Sequence, residues 1–231
     1  MNKIGLIGGI GPESTILYYR QIVQGIKERL GENVLPNLTI ETLSAFDVFS
    51  YCNERRYEEL TSYVLNAINN LAAAGATCAA LTGNTPNIVF NKLVERSPIP
   101  LISAIDATVE TAKIRGVKRI GLLGTAFTMK HTFFKTPFEQ AGIEVVVPTV
   151  DQIQYIQDRI ETELEHGIIT DETRAGIVEI ISAMKLQNGI EQVILGCTEL
   201  PLLLNDSNSP VQCLDTVAIH VTALVDKIAG K

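Results

Sequence analysis

The chain has 231 residues, a net charge of −7, 46% hydrophobic residues and 19% charged residues. This length suits two units of roughly 100 residues each, and a disordered chain would show the opposite balance of composition. The basic residues form no stripe, so we expect no nucleic-acid partner. No segment approaches the roughly 18 consecutive apolar residues of a membrane span, and the first residues lack the pattern of a signal peptide. We therefore expect a cytoplasmic protein with no membrane association.

The first half of the chain alternates short apolar runs with helical spacing. The apolar runs predict strands over Lys3–Ile7, Leu38–Thr42, Cys78–Thr82 and Pro100–Ile102. Apolar residues recurring every three to four positions predict helices over Ser14–Leu30, Tyr57–Ala74 and Ala107–Ile114. A glycine-rich turn, Gly8–Pro12, follows the first strand, and Thr85-Pro86 has the residue types of a helix start.

The second half repeats this alternation. Strands are predicted over Arg119–Leu123, Glu144–Val147 and Val193–Leu195. Helices are predicted over Thr128–Ala141, Ile153–His166, Asp171–Leu186, Pro201–Leu204 and Thr216–Ile228. Strands that alternate with helices indicate parallel sheets covered by helices.

The two halves are also similar to each other. Gly5–Gly9 in the first half matches Gly121–Thr125 in the second. Gly83 in the first half corresponds to Cys197 in the second, and the two pairs are separated by nearly the same number of residues. Glycine-rich strand ends are common in α/β proteins, but two matches at nearly one offset favour a duplication.

We therefore predict an α/β fold of two pseudo-symmetric units, each a small parallel sheet flanked by helices. The first unit is predicted to comprise residues 1–101 and 214–231, and the second residues 102–213. Ligands of open α/β sheets bind beyond the carboxyl ends of the strands. We therefore expect the active site in the cleft between the units, with Gly83 and Cys197 on opposite walls.

Neither a metal nor a cofactor is expected. The cysteines are far apart and form no CxxC pair, and the histidines lack ligand spacing; they are Cys52, Cys78, Cys197, Cys213, His131, His166 and His220. The glycines of the first turn do not give GxGxxG, and Asp47 lies too far on to bind a ribose. The turn is better suited to let the backbone approach a small anionic ligand.

Cys197 is the candidate reactive residue. It follows an apolar strand and precedes a helix start at Pro201. A helix N-terminus lowers the pKa of a thiol, so we expect a thiolate that can serve as a base. A buried and inert cysteine is the alternative, which the polar neighbours Thr198 and Glu199 make less attractive. For Cys52, which follows the second strand, a place in the substrate pocket and a structural role both stay open.

Four stretches resemble the aspartate/glutamate racemase family: Gly5–Thr15, Gly83-Asn84-Thr85, Gly121–Thr128 and Gly196-Cys197-Thr198-Glu199. The resemblance implies a pyridoxal-independent isomerase of D-amino acid metabolism, commonly a dimer, in which two cysteines flank the substrate Cα. It implies that the α-carboxylate is held at Asn84, Thr85, Thr198 and Glu199. Ile10 and Cys52 would line the side-chain pocket, and Thr125 would also contact the substrate.

The chain departs from this pattern at position 83, where Gly83 replaces the first cysteine. Three hypotheses follow. The chain racemises an acidic amino acid with Cys197 and a water or a substrate group as second proton carrier, slowly or with a directional bias. Alternatively, it resembles arylmalonate decarboxylase, in which one thiol protonates an enediolate and Gly83 leaves room for a departing carboxylate. The third hypothesis is a dicarboxylate-binding protein without activity. The surrounding motifs favour the first.

Overall fold

The structure is a computed structural model and describes residues 1–230. Contacts within the chain divide it into two compact units. Unit 1 comprises Met1–Ala104 and the chain from Val217 onward, and unit 2 comprises Ile105–Thr216. The chain therefore passes from unit 1 to unit 2 after Ala104 and returns after Thr216.

The strands of unit 1 form a parallel sheet in the order β2-β1-β3-β4. They are β1 (Ile4–Gly8), β2 (Leu38–Thr42), β3 (Cys78–Leu81) and β4 (Leu101–Ile102). The strands of unit 2 form a parallel sheet in the order β6-β5-β7-β8. They are β5 (Arg119–Leu123), β6 (Glu144–Val146), β7 (Gln192–Leu195) and β8 (Gln212–Asp215).

Helices flank both sheets. The helices before the chain first passes from unit 1 to unit 2 are α1 (Pro12–Leu30), α2 (Ala45–Asn53), α3 (Tyr57–Ala73) and α4 (Phe90–Arg96), with a 3-10 helix over Thr85–Val89. The following ones are α5 (Ala104–Ile114), α6 (Ala126–Lys130), α7 (Lys135–Gln140), α8 (Val150–Thr162), α9 (Asp171–Asn188), α10 (Leu200–Leu203) and α11 (Thr216–Ala229), with a 3-10 helix over Leu164–His166.

The two sheets have the same strand order, which confirms the predicted α/β class with two small parallel sheets. In each sheet the first strand of the unit pairs with the second and the third, and a fourth strand completes the edge. Gly83 follows β3 and Cys197 follows β7, so the two residues occupy equivalent places in their own units. Both lie beyond the carboxyl end of an interior strand, where α/β sheets bind ligands.

The single helix predicted over Thr128–Ala141 is two helices. Residue Pro137 lies in the first turn of α7, where the missing N–H of a proline is tolerated, whereas in the interior of a longer helix it would break a hydrogen bond. Helix α6 therefore ends at Lys130, and a new helix, α7, begins at Lys135.

Helix α11 is held in unit 1 by a buried polar contact. The hydroxyl of Tyr18 lies 2.9 Å from Nδ1 of His220, and Nε2 of His220 lies 3.0 Å from the carbonyl oxygen of Ile102. A carbonyl only accepts, so Nε2 carries the hydrogen and the tyrosine donates to Nδ1. Full burial of the ring lowers the pKa of His220 to about 4. The neutral imidazole thus joins α1, α11 and β4 within one apolar core.

Candidate functional site

Cys197 lies at the carboxyl edge of the unit 2 sheet. β7 ends at Leu195, and the amide of Gly196 donates to the carbonyl of Leu123 at 2.7 Å, which fixes the end of β7 against β5. The amide of Leu200 donates to the carbonyl of Cys197 at 3.2 Å, so the thiol sits on a tight turn before α10. The side chain is buried, with 8% of its residue surface exposed.

The thiol of Cys197 is in contact with a carboxylate. Its Sγ donates to Oε2 of Glu199 over 2.8 Å, and the hydroxyl of Thr198 donates to Oε1 of the same carboxylate over 2.7 Å. Each oxygen of Glu199 therefore has a neighbouring donor that fixes its orientation. The sequence Cys197-Thr198-Glu199 forms one hydrogen-bonded unit.

The expectation of a thiolate at Cys197 is wrong for this structure. The pKa of the Cys197 thiol is raised well above its usual range, first by burial and then by the carboxylate of Glu199. The backbone amide of Glu199 favours the thiolate, as a helix start should, but this effect is smaller. Helix α10 has only four residues, and burial of the thiol together with the carboxylate of Glu199 outweighs the amide. The resting group is a thiol with a base beside it.

Glu165 is a second acidic residue whose charge acts on the thiol of Cys197, and no sequence signal indicated it. It lies in the 3-10 helix between α8 and α9, and its carboxylate adds to the rise in the pKa of Cys197. The pKa of Glu165 is itself raised by the loss of surrounding water and by the carboxylates of Glu199 and Glu161. Its effect on the thiol depends on how the α8–α9 connection folds, which residue spacing does not reveal.

Thr125 lies at the same edge of unit 2 as Cys197. It caps α6, and its hydroxyl accepts the amide of Thr128 at 3.3 Å. The carbonyl oxygen of Gly196 would lie 3.2 Å from a Cβ built on Gly124, so the ends of β5 and β7 are close together. The structure therefore brings together four predicted residues of unit 2: Thr125, Cys197, Thr198 and Glu199.

The equivalent edge of unit 1 holds the remaining predicted residues. Asn84 and Thr85 begin the 3-10 helix that follows β3, and both are half-buried. Helix α2, which carries Cys52, contacts this 3-10 helix. Cys52 is only 4% exposed, and burial raises the pKa of its thiol to about 11. Ile10 is also buried, in the turn between β1 and α1.

The hydroxyl of Thr82, the residue before Gly83, is engaged within unit 1. The side chain is fully buried, and its hydroxyl donates to the carbonyl of Ile7 at 3.2 Å and lies 3.1 Å from the hydroxyl of Thr15. This agrees with the alternation of side chains along a strand, which turns neighbouring residues to opposite faces. Its hydroxyl belongs to the network that fixes the first turn of α1.

Gly83 does not leave an open space where a side chain would stand. A Cβ built on it would lie 2.1 Å from the carbonyl oxygen of Ile10, far inside van der Waals contact. The expectation that glycine makes room for a departing carboxylate is therefore not met within unit 1. The turn after β1 therefore packs directly against Gly83, and only a residue without a side chain allows this close approach.

Gly83→Cys is expected to lower the free energy of unfolding by about 1–3 kcal/mol, the usual cost of overpacking a well-filled site. The reason is that a Cβ must displace backbone of the Ile10 turn rather than a flexible side chain. Chemical denaturation measures the change. Gly11→Ala is the matched control, because a Cβ there would meet no atom within 4 Å. Wild-type stability in Gly83→Cys would show that the turn gives way easily.

No metal cluster or membrane helix accompanies these residues in the part of the chain that the structure describes. Within residues 1–230, no three His, Cys, Asp or Glu side chains come together in a way that could hold a metal ion. Over the same range, no helix is both long and apolar enough to cross a membrane.

Known proteins with similar sequences and folds cover nearly the whole chain. A family model for Asp/Glu/hydantoin racemases matches residues 7–224. A candidate Asp/Glu racemase from Yersinia pestis superposes with a TM-score of 0.93 at 33% identity, covering 99% of this chain and 100% of that one. An aspartate racemase homologue from Pyrococcus horikoshii OT3 gives a TM-score of 0.90 at 35% identity, with 99% and 100% covered. A glutamate racemase from Exiguobacterium sibiricum is 25% identical over 181 residues, which are 74% of this chain and 65% of that enzyme.

Proposed function

Because the chain belongs to the Asp/Glu/hydantoin racemase family, we propose that it is a cofactor-independent racemase or epimerase of an acidic amino acid, aspartate or glutamate. The main support is the contact of 2.8 Å between the thiol of Cys197 and the carboxylate of Glu199, at the carboxyl end of β7. Proton transfer at Cα needs a group that alternates between acid and base, and this pair supplies one. The substrate class follows the descriptions of the relatives, an aspartate racemase homologue and a glutamate racemase.

The proposed reaction begins from the thiol form of Cys197. The thiol proton passes to Oε2 of Glu199, its hydrogen-bond partner, and the resulting thiolate removes the hydrogen on the substrate Cα. The electron pair of the broken C–H bond moves into the α-carboxylate, which becomes an enediolate. A water or a substrate group on the opposite face then gives a proton to Cα, which completes the inversion. The proton on Oε2 of Glu199 passes to that carrier, so the carboxylate of Glu199 and the thiol of Cys197 are both restored. The half-buried side chains of Asn84, Thr85 and Thr198, together with Thr125, are proposed to hold the substrate.

The second proton carrier is proposed to be a water or a substrate group, because Gly83 has no side chain and Thr82 is engaged in unit 1. A carrier that is not fixed by the protein makes the reaction slower than one with two placed thiols. The two enantiomers have equal free energies, so kcat/KM must be equal in both directions. Any directional bias therefore shows in kcat and KM taken separately.

Two observations count against the decarboxylase alternative. The carboxylate beside the thiol repels a dianionic malonate, since like charges at this distance oppose each other. The position that a Cβ of residue 83 would take overlaps the carbonyl of Ile10, so the absence of a side chain there frees no room for a departing carboxylate. The third hypothesis, a dicarboxylate-binding protein without activity, predicts that neither inversion nor decarboxylation is detected.

Chiral chromatography tests the proposal directly. The protein is incubated without added cofactor with each enantiomer of aspartate and of glutamate, and the opposite enantiomer is measured over time. We expect inversion of at least one of the two amino acids and no release of carbon dioxide from aryl- or alkylmalonates. If none of the four substrates is inverted and malonates are decarboxylated, the racemase proposal is wrong and the protein is a decarboxylase.

We also propose a homodimer, as the family resemblance implies. Light scattering is expected to give about twice the mass of the 25.2 kDa chain. A monomeric mass at the concentration used for the activity assay would contradict this.

A further inference from the structure

We propose that Glu199 binds the α-ammonium group of the substrate, so that the site selects α-amino acids over acids of the same shape that lack the amino group. This inference rests on the proposed function in one respect: it takes the substrate Cα to lie at Sγ of Cys197. It changes the role of Glu199, which the family resemblance had implied to hold the α-carboxylate.

The distances around the thiol place Glu199 within reach of the amino group. A reacting Cα must approach Sγ to within about 3–3.5 Å, and the nitrogen is about 1.5 Å from Cα. Oε2 of Glu199 lies 2.8 Å from the same sulfur. A nitrogen bonded to a carbon at Sγ can therefore come within hydrogen-bonding distance of Oε2 by rotation of the substrate about the reacting carbon.

The charge of Glu199 suits an ammonium and not a carboxylate. When the substrate binds, before the thiol proton moves, Glu199 is a carboxylate whose oxygens only accept hydrogen bonds. In that state it cannot donate to a substrate carboxylate and repels it. Its two oxygens together have about four acceptor sites, and the donors from Cys197 and Thr198 occupy two of them. The two remaining acceptor sites can take two of the three N–H donors of an ammonium, and the third N–H is left for another acceptor. The hydroxyl of Thr198 keeps the carboxylate in position for this contact.

Binding of the ammonium also places a positive charge near the thiol of Cys197, where the charged side chains that raise its pKa are negative. The charged side chains that raise the pKa of Cys197 are both acidic, Glu199 and Glu165. An opposite charge within about 4–6 Å favours the ionised form of a group, so a substrate ammonium at Glu199 stabilises the thiolate. The substrate thereby helps to activate the residue that deprotonates it, and an acid without the amino group would not.

The test compares the binding of aspartate with that of succinate, which has the same carboxylates and no amino group. Isothermal titration of the wild-type protein is expected to give a dissociation constant for L- or D-aspartate at least about tenfold lower than for succinate, the effect of one charge-assisted hydrogen bond. In Glu199→Gln the two ligands are expected to bind within about threefold of each other, since the amide carries no charge. Glu179→Gln, an exposed glutamate on α9, is the control and should keep the wild-type preference.

The inference is overturned if wild-type protein binds succinate as tightly as aspartate, if neither ligand binds, or if Glu199→Gln keeps the full preference for aspartate. The wild-type comparison decides even where the variant fails to fold. The two enantiomers are equal in enthalpy, so inversion during the titration adds no net heat and the measured heat reports binding. The two proposals can therefore fail separately. Inversion of aspartate without a preference for the ammonium contradicts this inference alone. A preference for the ammonium without inversion of either aspartate or glutamate contradicts the proposed racemase activity alone.

Discussion

Cys197→Ser is expected to lower kcat/KM for inversion of the preferred acidic amino acid by at least about a hundredfold, the lower end for loss of a general acid–base group. A hydroxyl has nearly the shape of the thiol and can still donate to Glu199, but it does not ionise near neutral pH. The substitution therefore removes the chemistry and leaves the packing at the end of β7 nearly unchanged. Initial rates from chiral chromatography give the ratio.

The matched control is Cys213→Ser, in the same unit. Cys213 is half-buried on β8, and neither the sequence nor the structure assigns it to the site. We expect the activity of Cys213→Ser to stay within about twofold of wild type, because conservative substitutions outside the site and the fully buried core have small effects. Equal losses in both variants would mean that the loss at Cys197 reflects a general effect on unit 2.

Acidification is expected to destabilise the protein through His220. The folded-state pKa of His220 is about 4, lowered by burial from the ordinary 6.5. Between these values the unfolded chain binds a proton that the folded chain does not, so stability rises with pH and is lost as the pH falls through this window. The difference of pKa corresponds to about 3 kcal/mol of unfolding free energy between pH 6.5 and pH 4. Urea denaturation at a series of pH values measures this loss.

His220→Gln should remove this part of the pH dependence. A glutamine can accept from Tyr18 and donate to the carbonyl of Ile102, the two contacts that the imidazole makes, yet it does not titrate. The slope of stability against pH is compared, rather than stability at one pH, because carboxylates also contribute in acid. His166→Gln, an exposed residue, should keep the wild-type slope. An unchanged slope in His220→Gln would show that the buried imidazole is not the source.

The prediction of the fold depended on strong local patterns. β2 and β5 were predicted with the limits that the structure gives, since short stretches rich in apolar and β-branched residues are set off there from the residues around them. Helix α2 was missed, although Ser44 caps it by accepting the amide of Asp47. β8 was also missed: its outward positions are polar, and Gln212 is exposed. Edge strands and short helices depend on their neighbours for stability, so their own sequence carries less information.

The site was predicted in part. A cysteine between an apolar strand and a helix start, followed by Thr198 and Glu199, indicated a reactive centre. The direction of the pKa change was predicted wrongly, because it depends on the burial of Cys197 and on the side to which Glu199 turns. The carbonyl of Ile10 beside Gly83 was equally beyond sequence reasoning, since the two residues are distant in the chain. Motifs indicate which residues meet, and only the folded structure shows how their side chains are oriented.

Deuterium labelling in heavy water tests most directly whether Cys197 moves the proton on Cα. Wild-type protein and Cys197→Ala are incubated with L-aspartate, and separately with L-glutamate, and the reactions are stopped at low conversion. We expect the D-enantiomer formed by wild-type protein to carry deuterium at Cα for at least one substrate, and no labelling above background with Cys197→Ala. Labelling at equal rates in the two proteins, or no deuterium at Cα of either amino acid with wild-type protein, would contradict the proposed role of Cys197.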